Sequence, residues 1–293
     1  MAAPTAPTLV SITTEALKKA EYSNPSSVML TRAQDEYMAE VKADICRKER
    51  RLKSLYKTGY TATTIGKSRY GNPPDYFSDL SLTLLEGTQT GTAQAGSTST
   101  ITLAADEDIT EDWAKGKEIL DTTTKGFSQI TTYSTSTKIA GVVPDFETSA
   151  ATSDGYIIIE NYYSGPAFYK VGSTEFDNIY QPTSKSRPLA YTEYKSPTTG
   201  EFCVTPAPDK VYGIQMKYFA NLLTLDLAST LMSTLYHNWR DIFVYGVASK
   251  QLFNDNNVKF DKVYALYQTA LESMILEERC VDGFTSNLVE SAY

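Results

Sequence analysis

A single histidine, three cysteines and a few paired carboxylates are the side chains in this sequence whose types suit chemistry. His237 has the pKa of a general base, yet no Ser or Cys nucleophile stands at a signature spacing from it. It sits where an apolar helical run breaks, so it reads as a capping or exposed residue. Asp106 and Asp108 would suit Ca²⁺ or acid–base work, but Asp106-Glu-Asp108 lacks the glycine and the distal Glu of a calcium loop. Glu277 and Glu278 point to adjacent faces of a helix rather than to one site. Both pairs read as solvated charge. Cys46, Cys203 and Cys280 are far apart and match no metal-ligand pattern, so they read as reduced thiols of a protein made in cytoplasm. The glycines form neither GxGxxG nor a phosphate loop. These residues predict no catalytic group, no metal, no cofactor and no enzyme.

One charge run stands out. Lys42, Arg47, Lys48, Arg50, Arg51, Lys53 and Lys57 face only Asp44 and Glu49, a local balance of +5. If a helix carries them, Arg47 and Arg51 are four apart and share a face. That face suits either a neighbouring subunit's carboxylates or a phosphate backbone. Aromatic interleaving is absent, so sequence readout of nucleic acid is not expected.

The elements that must position these residues alternate in character. The 293 residues are 41% apolar, 21% charged and 12% aromatic, enough for a core and against wholesale disorder. The 21 tyrosines fit either assembly surfaces or half-buried sheet positions. No run approaches the length needed to cross a bilayer, and the N-terminus lacks the pattern of a secretory signal. The net charge of −8 is concentrated. Residues 87–160 hold eleven acids against four lysines, leaving −1 for the rest. The same stretch is dense in Ser and Thr, with alternating runs at 99–103, 117–121, 127–133, 138–143 and 156–159. It predicts an all-β module of five or six strands, a small sandwich or barrel, separable from what flanks it.

The flanks read as helical. A first helix covers 11–22. Thr31-x-x-Gln34 looks like a capping box opening a helix to Lys57, about 39 Å long at 1.5 Å per residue. Residues 61–86 are extended. Short strands at 202–204 and 211–218, joined by Thr205-Pro-Ala-Pro-Asp209, predict a hairpin. In the second strand Tyr212, Ile214, Met216 and Tyr218 share one face. Helices follow at 225–236, 240–253 (with Asn238 as its cap) and 259–279, and Asp282-Gly283 ends the last.

The segments "FCVTPAPDKVYGIQMKY" and "GNPPDYFSDLSLTLLEG" resemble the adaptor (head-to-tail connector) proteins of short-tailed bacteriophages, in which a Pro-x-Pro-Asp…Tyr hairpin leads into the helices that pack a ring. The stretch Arg187-Pro-Leu-Ala-Tyr191 partly matches a Gly-x-Pro-x-x-Tyr-like segment of that family, with Arg187 in place of the small residue. Residues 87–160 look like a β module that recurs as an insertion in phage virion proteins. The resemblance implies an α+β fold: a helical adaptor core with a small β-hairpin, and an inserted all-β sandwich or barrel-like module. Its parts are a helical core in two pieces (1–86 and 161–281), the module (87–160) and a C-terminal tail (282–293).

The function so implied is structural. Such a protein forms a ring, typically of twelve subunits, beneath the portal protein of the virion, lengthens the double-stranded DNA channel without reading sequence, and offers a surface to tail nozzle or fibre proteins. Arg47, Lys48, Arg50 and Arg51 are then candidates for a ring interface or the lumen. Phe284, Leu288, Val289 and Tyr293 are candidate portal anchors in a tail too poor in apolar groups to fold alone. The rival reading is a receptor- or carbohydrate-binding virion protein that uses exposed aromatics of the module, drawn from Trp113, Phe127, Tyr133, Phe146 and Tyr156.

Overall fold

The computed structural model describes residues 9–49, 51–87, 89–104, 109–179, 184–194, 200–223, 235 and 237–279. Two compact units emerge, one of residues 1–57, 75–78 and 219–293, the other of 58–74 and 79–218. Among the described residues the helices are α1 (Leu9–Lys19), α2 (Ser27–Arg32), α3 (Met38–Lys48), α4 (Glu111–Ala114), α5 (Ser173–Ile179), α6 (Arg240–Asn254) and α7 (Phe260–Glu278); the helix expected at 225–236 lies outside them but for Leu235.

Helix α6 is the centre of the first unit. Ile242, Phe243, Val244, Val247, Ala248 and Leu252 are all buried, and a helix apolar around most of its circumference must be surrounded. Gly246 lets its neighbours in. A Cβ there would lie 2.6 Å from Val41 and 3.0 Å from Tyr267, so α3 and α7 can both press on α6 only at a glycine. Helix α1 adds Ile12, Ala16 and Leu17 from one face.

The expected helix from Thr31 to Lys57 is replaced by a broken one. Ser26, not Thr31, caps it, accepting a bond from the Met29 N–H. A five-residue π turn (Ala33–Tyr37) joins α2 to α3, which stops at Lys48. Glu49 is extended (φ −151°), and its carboxylate takes the Arg51 N–H at 2.9 Å, drawing the backbone off the helical path. A short 3₁₀ turn, Lys53–Leu55, still buries Leu55, and strand β1 (Tyr56–Ala62) follows.

Three sheets are the larger correction to a helical core with a hairpin. Strands β2 (Arg69–Gly71) and β3 (Tyr76–Glu86) precede a run from β4 to β10, and β11 (Asn161–Tyr163), β12 (Tyr169–Lys170), β13 (Ala190–Tyr194), β14 (Glu201–Thr205) and β15 (Gly213–Ala220) come after it. One sheet has the order β1-β15-β3-β11, and another β12-β13-β14-β2. The two strands expected to form a hairpin, β14 and β15, therefore belong to different sheets. The Pro-x-Pro link hands the chain from one sheet to the other. The physical reason lies in β15, which is buried along one face and at Gly213 and Phe219 of the other, where Gln215 and Lys217 are half-buried. Tyr212, just before it, and Ile214, Met216 and Tyr218 fill one side. On the other, Gly213 lies so close to Leu120 that a Cβ would approach it to 2.7 Å. A strand so enclosed needs a neighbour on each edge and finds β1 and β3.

Residues 87–160 form the third sheet. Its strands are β4 (Gln89–Thr92), β5 (Ala95–Gly96), β6 (Thr100–Thr102), β7 (Glu118–Asp121), β8 (Phe127–Ser134), β9 (Ile139–Val143) and β10 (Gly155–Ile159). They run in the order β4-β10-β7-β8-β9-β6-β5. Laid flat, the seven strands would hold β4 and β5 roughly 29 Å apart. Only Ala93 and Gln94 separate those strands, however, and three peptide units reach about 11 Å. The sheet must curl until its edges meet. Ala93 donates to Asp154 O (2.7 Å) beside β10, and Gln94 donates to Thr102 O (2.9 Å) in β6, closing the ring. Ile101, Ile119, Ile130, Tyr133, Phe146 and Ile158 are among the side chains that fill it.

The module enters and leaves side by side. Glu160 N–H donates to Glu86 O at 2.9 Å, and a Cβ on Gly87 would fall 1.9 Å from Ile158 O. Strand β10 serves two cores at once. Tyr156 and Ile158 point into the curled sheet. Ile157 and Ile159 point outward and pack with Leu85 and Leu120 against Tyr60, Phe127 and Val211. Tyr60 and Phe127 stack at 4.1 Å with nearly parallel rings. The module's outer face is thus part of the second unit's interior.

Burial on both faces of β10 has a measurable consequence. Ile157→Ala and Ile158→Ala, although they face different cores, should each cost about 2–5 kcal/mol in urea denaturation. Ile139→Ala on the 40%-exposed outer face of β9 should change stability much less. Equal effects at 139 and 157 would show that the outer core carries little.

Candidate functional site: the charged ends of α3 and α7

Because α3 ends at Lys48, Arg47 and Arg51 do not share a helical face. Arg47 remains on the helix, its side chain 75% exposed, donating to Asp44 at 2.8 Å. The other Asp44 oxygen receives Lys250 Nζ at 3.1 Å and the Tyr267 hydroxyl at 3.4 Å. Lys250 also reaches Glu40 at 3.2 Å. Burial works against the charge on Lys250, but hydrogen bonds to Asp44 and Glu40 outweigh it and raise its pKa. Burial, joined by the Asp44 charge, pushes the Tyr267 phenol far above its usual range. This network ties α3, α6 and α7 together. Lys48 is exposed and makes no ion pair among the described residues. Arg51 is exposed and donates its N–H to Glu49, whose other oxygen meets Arg279 at 3.2 Å. Arg50 lies outside the described residues.

The C-terminal end of α7 forms a second cluster. Glu278 accepts bonds from the Ser54 N–H (3.0 Å), the Ser54 hydroxyl (2.8 Å) and Trp239 Nε1 (2.9 Å). Lys53 Nζ donates to Glu277 O at 3.0 Å, and Leu52 bridges to Arg279. Burial alone would raise the Glu278 pKa. The donors Trp239 and Ser54 and the Lys53 charge overcome that and hold it below the ordinary carboxylate value. The expectation of a merely solvated Glu278 is corrected. No spacing rule finds this group, since its partners stand 39 and 224 positions away.

The remaining candidates scatter. His237 is exposed, and Asn238 does not cap α6, whose first residue is preceded by Trp239 with no side-chain capping bond. Cys46 is half-buried and Cys203 buried, and burial pushes the Cys203 thiol up to about 11, which disfavours the thiolate. Phe284, Leu288, Val289 and Tyr293, with Asp106, Asp108 and Cys280, lie outside the described residues. An apolar cavity of about 230 Å³ is lined by Cys46, Leu55, Phe77, Ala220 and Leu222. Among the described residues no cluster of three or more His, Cys, Asp or Glu side chains is arranged to hold a metal. What the two clusters can do chemically is hold helix ends in place and present outward charge, above all Arg47 and Lys48. No protein-family model matches the chain, and no curated protein matches it.

The Glu278 cluster predicts a pH dependence of definite sign. A carboxyl whose folded pKa is depressed stabilises the fold above its unfolded value near 4.5, and that contribution is lost as pH falls through the folded pKa. Glu278→Gln should lower stability at pH 7 by about 1–3 kcal/mol. The deficit should shrink below pH 4.5 when thermal unfolding is followed across pH. A constant deficit at all pH values would assign the effect to packing.

Proposed function

We propose that this chain is a structural virion protein that forms a ring, of about twelve copies by analogy with the adaptor family it resembles, beneath a portal protein. In that place it would extend the channel for double-stranded DNA and join head to tail nozzle or fibres. The observation that carries this reading is where the two resembling segments lie. They are about 130 positions apart in sequence, yet β3, in the first, lies beside β15, in the second, within one sheet, and their leading ends adjoin in another, where Gly71 pairs with Glu201. The residues that suggested the family thus form a single structural neighbourhood. In it, Tyr191 replaces solvent as a partner for β3, its hydroxyl accepting the Leu82 N–H at 3.2 Å. Arg187, the departure from the family pattern, lies over the Tyr163 ring at 4.1 Å.

The carbohydrate-binding alternative has less to work with. Tyr133, Phe146 and Tyr156 are buried in the curled sheet. Phe127 is stacked on Tyr60, and Trp113 packs on the module core with Lys117 over its ring at 4.5 Å. Each aromatic of the module already has a partner where a sugar would stack.

Negative-stain imaging of the purified protein, alone and mixed with the portal protein of the same virus, tests the proposal. Closed rings that cap the portal channel are expected. Particles that remain single and bind a glycan array instead would replace this reading with the alternative.

A further inference from the structure

Two outward helix faces in the first unit carry complementary charge in the same order. On α7, Lys262 comes first and Glu272 ten positions later, about 15 Å along the axis. Both are exposed, and neither makes an ion pair among the described residues. Between them and in the turn beyond Glu272 the face is apolar in effect. Leu266 is 45% and Leu276 83% exposed, and the hydroxyls of Thr269 and Ser273 are taken up by carbonyls one turn back, at 3.0 Å each. The π turn and α3 show the reverse polarity. Glu36 and Glu40 come first, exposed although Glu36 already pairs with Arg32 at 2.9 Å and Glu40 with Lys250 at 3.2 Å, and Arg47 comes last, roughly 10–17 Å on, with Ala39 and Ala43 between them. Arg47 spends one of its five donors on Asp44 and keeps most of the guanidinium in solvent.

We propose that the outward face of α7 in one copy of the chain seats on the outward face of α3 in a second copy, the two helices running parallel. In that register Lys262 meets Glu36 and Glu40 of the neighbour, and Glu272 meets Arg47. Ala265 and Leu266 lie against Ala39 and Ala43, where small side chains let the helices come close. The two surfaces differ, so the contact is head-to-tail. Head-to-tail contacts build rings or open filaments and not two-fold dimers. The inference rests on the ring reading above and names the contact that the ring would use.

Charge reversal tests it by sedimentation velocity across a range of protein concentrations. Lys262→Glu and Glu272→Lys should each weaken self-association about tenfold or more while leaving the melting temperature near that of the native chain. Pairing Glu272→Lys with Arg47→Glu should restore association. The swap of Lys262→Glu with Glu36→Lys gives an independent restoration should Arg47→Glu disturb the Asp44 network. Association unchanged by either single reversal would overturn this contact and leave the ring reading standing. A native chain that stays monomeric at every concentration would overturn both.

Discussion

A strand with no solvent-facing side governs the second unit. Tyr156, Ile157, Ile158 and Ile159 are buried in succession, and the alternation of β structure sends them in turn into two separate cores. Everything around β10 is arranged to make that possible. Edge strands cannot be buried twice, so β10 pairs with β4 on one side and β7 on the other. The chain must pass Ile158 O without a side chain, which is the place of Gly87. The sheet that carries β15 must come within contact of Leu120, which is the place of Gly213. Neither glycine is needed for a turn; both are needed for proximity.

The first unit solves a different problem with a related device. Its central helix has almost no polar face to offer, so the neighbours are held by polar groups at their ends. Tyr22 donates to Asp255 at 2.7 Å, Asn254 to the Tyr37 hydroxyl at 2.6 Å, and Lys259 pairs with Glu21. The abundance of tyrosine belongs to this scheme as much as to any surface. Tyr37, Tyr156, Tyr191, Tyr212 and Tyr267 are buried rings whose hydroxyls reach a backbone N–H, an amide or a carboxylate. Each fills volume and satisfies a polar atom with one side chain.

Local elements were readable where the period of the sequence and the period of the backbone agree. The strands of residues 99–159 and the helix at 259–279 fall within a residue or two of their observed bounds, since apolar positions recur against a polar background. Residues 52–57 misled because Leu52, Leu55 and Tyr56 satisfy a helical spacing, although Leu52 and Leu55 are buried by a tight turn and Tyr56 opens a strand. Short apolar runs do not discriminate between the two. Strand partners were not readable at all. Whether β14 pairs with β15, its neighbour in sequence, or with β2 and β13 depends on which surfaces are buried, and no local residue type records that. The same holds for the site. The cations of α3 were visible in sequence as a cluster, whereas Asp44, Lys250, Tyr267 and Glu278 become a network only through contacts that the chain makes after long excursions.

The two-residue step at Ala93 and Gln94, which lets the first and last strands of the curled sheet meet, bears on how the chain avoids aggregation. An open sheet of such Thr-rich strands would leave a row of unsatisfied amides, a ready template for strand-to-strand growth among identical copies. Closing the circle removes that template. Intermolecular recognition by this module is thereby left to side chains, which can be selective, rather than to main-chain hydrogen bonds, which are not.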